Sequence, residues 1–203
     1  MAMKIECLKM GAFETCCYVV QQGSAVLVLD PAGRSPRIVS ALQGRQVSAI
    51  VLTHGHFDHI GGADELAALY HCPIYLHPAD KPLLKQPELN TLAGYTARVS
   101  TPTLPLKEGR MNVGGMEMQV MEAPGHTPGS VLICIGQDCF CGDVIFAGSI
   151  GRTDLPLGSQ SEMKQTLKRI QTLDPDLRLY PGHGPQTTLG QELRTNPFLT
   201  RKY

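Results

Sequence analysis

Thr53-His54-Gly55-His56-Phe57-Asp58-His59 puts three histidines and one carboxylate within the six residues from His54 to His59. The apolar run Ala49-Ile50-Val51-Leu52 leads in, and Gly61-Gly62 leads out. A short, wholly apolar run that breaks into a polar turn reads as a strand deep in a sheet, presenting functional side chains at its end. Packed together without compensation, these imidazoles and the carboxylate would crowd their dipoles and charge. A divalent cation among them removes the conflict. Four such ligands do not all comfortably reach one ion, so two ions are expected.

Outward from this stretch, apolar runs alternate with Gly and Pro punctuation along the whole chain. Residues 4–8, 16–21 and 25–30 read as a meander of strands turned at Gly11 and Gly23. A helix is predicted over 35–43, with Ser35 as N-cap and Pro36 in its first position. The strand at 49–52 follows, then a helix over 63–70, a strand over 73–76 and a short helix over 78–84. Residues 86–101 are Pro-punctuated and read as a surface segment, a candidate cover for a substrate. Strands are predicted over 116–122, 131–135, 138–141 and 177–180, and helices over 162–173 and 189–194. Two strand-rich halves with helices outside them point to a four-layer αββα sandwich.

Three further motifs carry potential ligands, each after a predicted strand. Glu122-Ala-Pro-Gly-His126-Thr-Pro-Gly places His126 in a tight turn. Phe140-Cys-Gly-Asp143 ends an apolar strand on a carboxylate. Tyr180-Pro-Gly-His183-Gly places His183 in another Pro-Gly turn. A glycine just before each ligand allows the backbone to approach the site closely. Imidazole and carboxylate donors suit zinc, iron or manganese. Thr53 and Thr127 neighbour ligands and are candidates to orient the imidazoles. His71 and His77 lie outside these motifs and read as a helix-end and a strand-end residue.

The chain has 203 residues, 42% hydrophobic and 18% charged, which suits one domain over 1–203. Its 18 basic and 18 acidic residues cancel, so no global field draws it to nucleic acid or an anionic membrane. No stretch approaches the roughly 18 apolar residues of a membrane-crossing helix. The start lacks a signal-peptide core, so a cytoplasmic protein is expected. The seven cysteines, an odd number, then read as thiols. Cys139-Phe-Cys141 puts two of them on one strand face, as buried small residues.

The ordered set His54-x-His56-x-Asp58-His59, His126, Asp143 and His183 resembles the signature of the metallo-β-lactamase superfamily. The resemblance spans nearly the whole chain and implies an αββα sandwich with the ions at one edge, between the sheets. It implies one site of His54, His56 and His126, a second of Asp58, His59 and His183, and Asp143 as a bridge. A bridging Asp is similar to glyoxalase II and its relatives and argues against a true β-lactamase. Gly142-Asp-Val-Ile-Phe-Ala-Gly-Ser-Ile-Gly-Arg152-Thr-Asp154, and Tyr180-Pro-Gly-His-Gly-Pro185 followed by Thr195-Asn-Pro-Phe198, resemble the short bacterial members of that branch. Two departures touch glutathione recognition. About 20 residues follow His183, too few for the branch's C-terminal helical domain, and Pro185 stands where the branch has a tyrosine. Arg152 matches a position that contacts the glutathione carboxylate.

The resemblance implies a thioester hydrolase acting on S-lactoylglutathione or a similar small-molecule conjugate through a metal-bridging hydroxide. Asp58 would orient the nucleophile as the catalytic carboxylate. The alternatives are a mononuclear-iron persulfide dioxygenase, whose branch shares Gly151-Arg-Thr-Asp154, and a phosphodiester hydrolase.

Overall fold

Along Thr15-Cys-Cys-Tyr-Val-Val, Cys16, Tyr18 and Val20 point to one side and Cys17 and Val19 to the other, and all are buried. A strand covered on both faces lies inside a layered structure. A computed structural model describes residues 2–33 and 35–200. In chain order its strands are β1 Lys4–Met10, β2 Thr15–Gln22, β3 Ala25–Leu29, β4 Ala49–Val51, β5 Ile74–Leu76, β6 Thr91–Leu92, β7 Tyr95–Thr96 and β8 Thr103–Pro105. There follow β9 Gly109–Val113, β10 Met116–Glu122, β11 Val131–Ile135, β12 Asp138–Gly142, β13 Ile145–Phe146, β14 Ser149–Ile150, β15 Arg178–Pro181 and β16 Thr187–Thr188. The helices are α1 Pro36–Ala41, α2 Phe57–Ile60, α3 Ala63–Tyr70, α4 Lys81–Lys85, α5 Gln160–Ile170, α6 Leu189–Thr195 and α7 Pro197–Thr200.

Two six-stranded sheets form, in the orders β1-β2-β3-β4-β5-β8 and β16-β15-β12-β11-β10-β9. In the first, β1, β2 and β3 are an antiparallel meander, and β3, β4, β5 and β8 run parallel. Ile50 of β4 sits between Val28 and Ile74, so this strand is buried laterally as well as on both faces. The second sheet is antiparallel except for the parallel β12–β15 pair.

Three apolar clusters define four layers. Tyr18, Leu27, Leu29 and Val51 meet Val120, Ile133 and Phe140 between the sheets. Val28, Ile50 and Ile74 meet Ile38, Leu66 and Ala67 of α1 and α3 outside the first sheet. Leu132, Cys139 and Leu179 meet Met163, Leu167 and Ile170 of α5 outside the second. This is the expected αββα sandwich. Burial at about 25 cal/mol per Å2 of apolar surface is what holds such layers together.

Local chemistry sets the element ends. Ser35 accepts from the Ile38 amide and caps α1. Ser159 accepts from the Glu162 amide, so α5 begins at Gln160, two residues before the sequence-based start. Strands β8 and β9 escape a pattern reading because they are edge strands. Pro105 is tolerated at an edge, where no ladder partner needs its missing amide, and β9 is half exposed.

Residues 86–101 are more than a bare surface loop. They contain the β6–β7 hairpin, and buried Asn90 anchors them. Its side chain accepts from the Phe57 amide and donates to the Gly55 and Leu83 carbonyls, each at 2.8 Å. Among the described residues, no helix is long and apolar enough to cross a membrane.

Candidate metal centre

Strand β4 ends at Val51, and His54 and His56 lie in the loop beyond it, followed by Asp58 and His59 on the single turn of α2. His126 follows β10, Asp143 follows β12 and His183 follows β15. Since β10, β12 and β15 run in one direction, all three present their residues from carboxyl ends at the same edge. That edge faces the loop after β4. All seven residues singled out by spacing come together in one cluster.

His56 Nδ1 lies 2.8 Å from His126 Nε2, and the His54 ring centre lies 5.0 Å from that of His126. Offered ligand atoms of His54, His56 and His126 all fall within 4.8 Å of one another, as do those of Asp58, His59 and His183. Asp143 stands between the groups. Its Oδ1 is 3.4 Å from His59 Nε2, and its Oδ2 is 3.5 Å from both His126 Nε2 and His183 Nε2. Asp58 Oδ2 is 3.2 Å from His183 Nε2.

Burial makes this arrangement costly on its own. His54, His56 and His59 are at most 5% exposed, and the Nε2 atoms of all three and Asp143 Oδ1 are buried without a hydrogen-bond partner. Buried polar atoms are almost always paired, so unpartnered donor atoms of His54, His56, His59 and Asp143 within one cluster fit bound cations. The electrostatics agree. Burial holds the His54 imidazole well below its ordinary value and His56 down at about 3, leaving both as neutral donors. Burial would raise Asp143, but His59 and His183 beside it hold its carboxyl well below the usual carboxylate range. Burial opposes charge on His59 and His183 as well. The acidic neighbours win, raising His59 and pushing His183 up to about 10.

The outer nitrogens are held separately. His59 Nδ1 lies 3.0 Å from Asp30 Oδ2, His126 Nδ1 2.7 Å from the Arg152 carbonyl, His183 Nδ1 3.0 Å from the Phe13 carbonyl, and His54 Nδ1 3.1 Å from Thr53 Oγ1. Asp30 also accepts from the Thr53 amide and hydroxyl. With its oxygens committed in this way it orients His59, although it lies near enough to His54 and His59 to form a third donor grouping. Thr127 reaches no imidazole; it donates to buried Asp80. Asp30 and Asp80 were missed by motif reading. Asp30 has one legible sign, an acid ending the apolar run of β3, while Asp80 in its Pro-Ala-Asp turn has none.

The glycines before the ligands are tight. A Cβ on Gly182 would overlap Asp143 Oδ1 and come within 2.6 Å of His59 Cε1, and one on Gly142 would strike the Thr53 side chain. His71 and His77 stay outside the centre; His71 ends α3 and His77 lies 3.1 Å from Glu122. A cavity of about 430 Å3 opens onto His56, Asp58, His126, Asp143 and His183, walled by Phe13, Phe57, Leu92 and Phe146. Arg152 is at its rim, with its guanidinium donating twice to Asp154 at 2.8 Å.

Two sheets meeting over a His/Asp cluster at one edge define a metal-dependent hydrolase fold. The family model described as the metallo-beta-lactamase superfamily matches residues 10–183, and the chain belongs to that superfamily. It is similar to the hydroxyacylglutathione hydrolase GloC of Haemophilus influenzae, 30% identical with 98% of this chain and 100% of that protein covered. Among solved structures it resembles the BLEG-1 B3 metallo-beta-lactamase, with TM-score 0.91 and 34% identity over 98% of this chain and 100% of the other. It also resembles TTHA1623 in a di-iron-bound form, with TM-score 0.84 and 38% identity over 96% and 100%. Fold and donor set together imply divalent metal.

Proposed function

We propose that this protein is a binuclear metallohydrolase that cleaves a small-molecule thioester, such as a glutathione conjugate of the S-lactoylglutathione kind. The observation that carries the reading is Asp143, whose oxygens lie against both donor groups at 3.4–3.5 Å. His54, His56 and His126 would hold one ion, Asp58, His59 and His183 the other, with Asp143 shared. Zinc is the first expectation, and iron or manganese would suit the same donors. Divalent ions bound there lower the pKa of a water to about 7 and polarise a carbonyl oxygen.

The chain's own residues supply the rest. Burial opposes ionisation of Asp58, but His59 and His183 hold its carboxyl at about 2, so it is a carboxylate at neutral pH, able to orient an attacking water. Thr15 Oγ1 donates to Asp58 Oδ2 at 3.0 Å and sets its rotamer. Phe13, Phe57 and Phe146 keep bulk water from an acyl group in the cavity. Arg152 would meet a carboxylate of the thiol carrier by exchanging Asp154 for it.

Protein loaded with zinc, iron or manganese should hydrolyse S-lactoylglutathione, and Asp58→Ala should lose at least about 100-fold in kcat, the scale of one proton-handling group. Absence of thioester cleavage with every metal sinks the proposal. Oxygen uptake on glutathione persulfide, or turnover of a β-lactam, in its place would reassign the chain within its superfamily.

A further inference from the structure

The outer face of the second sheet carries a pair of groups that the metal centre does not use. Cys134 on β11 and Cys139 on β12 are direct partners in the antiparallel ladder, one residue pair from the turn at Gly136 and Gln137. Their sulfurs lie 2.6 Å apart. Non-bonded carbons rest about 3.5–4.0 Å apart, and sulfur is larger, so these two atoms sit well inside ordinary contact. A disulfide spans Cα atoms about 4.4–6.8 Å apart, and residues facing each other in an antiparallel ladder are separated by about 4.5–5.5 Å. The ladder register already suits the bond.

The two thiols differ in access. Ile133 and Phe140 point into the core between the sheets, whereas Cys134 and Cys139 face the outer layer. Cys139 is fully buried there, while Cys134 is half-buried and opens onto a surface groove beside Gln119 and Gly136. The Cys134 sulfur beside it, together with burial, pushes the Cys139 thiol well up. Cys134 is therefore the thiol that meets a reagent, and Cys139 the one that resolves.

We propose that Cys134 and Cys139 are a redox modification site, converted to an intramolecular disulfide by a low-molecular-weight disulfide. The Cys134 thiolate attacks one sulfur of the reagent, whose S–S bond breaks and releases one thiolate. That thiolate takes up the proton Cys134 lost on ionising; the Cys139 sulfur then attacks Cys134, its proton passing to the departing sulfur, which leaves as the second thiol. Two protein thiols are oxidised and one reagent disulfide is reduced to two thiols.

The test is to incubate the zinc-loaded full chain with oxidised glutathione, then denature, alkylate and map it by mass. Two of the seven thiols should become unavailable to alkylation, in a linked pair of peptides containing Cys134 and Cys139 that a dithiol separates. Cys139→Ala should stop at a glutathione adduct on Cys134, and Cys134→Ser should leave Cys139 unmodified. The proposal is overturned if all seven thiols still alkylate, if the bond maps to another pair such as Cys16 and Cys17, or if an adduct on Cys134 persists in the natural sequence.

Discussion

Each imidazole of the centre has two nitrogens with separate tasks. In His54, His59, His126 and His183 one is held by a carbonyl, hydroxyl or carboxylate of the surrounding chain and the other turns toward the donor cluster, whereas His56 sets its Nδ1 2.8 Å from His126 Nε2. Asp30, Thr53, and the carbonyls of Phe13 and Arg152 do the holding, which fixes ring orientation before any ion arrives. The spacing around the ligands is as exacting as the ligands. Gly182 precedes His183, and its missing Cβ is the space that Asp143 and His59 occupy. Gly182→Ala should abolish metal uptake, measured as bound metal per chain after reconstitution, with far-ultraviolet circular dichroism unchanged. A variant that loads metal normally would show that the loop can shift to admit a methyl group.

Elements act here as delivery devices. Strands β4, β10, β12 and β15 end in tight turns at one edge of the sandwich, and the seven site residues occupy those turns and the start of α2. The turns are tied to one another by Asp80, in the one-turn helix between β5 and α4. Its Oδ2 accepts from the Gly55 amide at 2.8 Å and the Thr127 hydroxyl at 2.7 Å, and its Oδ1 from the Gly129 amide at 2.6 Å. One carboxylate thus clamps the His54–His56 loop to the His126 loop. Burial raises its pKa, against the donors that favour the charge. Asp80→Ala strands the buried Gly55 and Gly129 amides and leaves the Thr127 hydroxyl with Ser130 alone, so a loss on the order of 3 kcal/mol is expected in denaturant unfolding, with weakened metal retention. A loss below about 1 kcal/mol would mean that the two loops hold their positions without the clamp.

For the molecule as a whole, metal and fold are coupled. Ions that bind only the folded chain stabilise it by about 2.7 kcal/mol at one hundred times their dissociation constant. Chelation should therefore lower the melting temperature, and an unchanged melting curve would detach the centre from stability. Binding also carries a pH signature. The acidic neighbours of His59 and His183 keep both protonated at neutral pH, His183 up to about 10, and an ion must displace those protons. Asp58 and Asp143 are already ionised and release none. Zinc affinity, measured against a competing chelator, should rise with pH through the neutral range and on toward the His183 value of about 10. A flat profile there would contradict the proton count.

The centre was legible because its residues are rare, polar and placed in Gly/Pro turns directly after apolar runs. Periodicity and punctuation alone place His54, His56, Asp58, His59, His126, Asp143 and His183 at strand ends. The three apolar clusters follow from strands such as β2 that are apolar on both faces. Asp30, Asp80, Asn90 and the facing sulfurs of Cys134 and Cys139 were not legible in this way. Their importance lies in partners 23–49 residues away for the two acids, 33 for Asn90 with Phe57, and a cross-strand register for the cysteines. Local chain chemistry carries composition, period and turn type, which select the strands and what stands at their ends. Contacts between distant segments arise only when two sheets pack, and that packing decides which ordinary carboxylate becomes a clamp and which thiols meet.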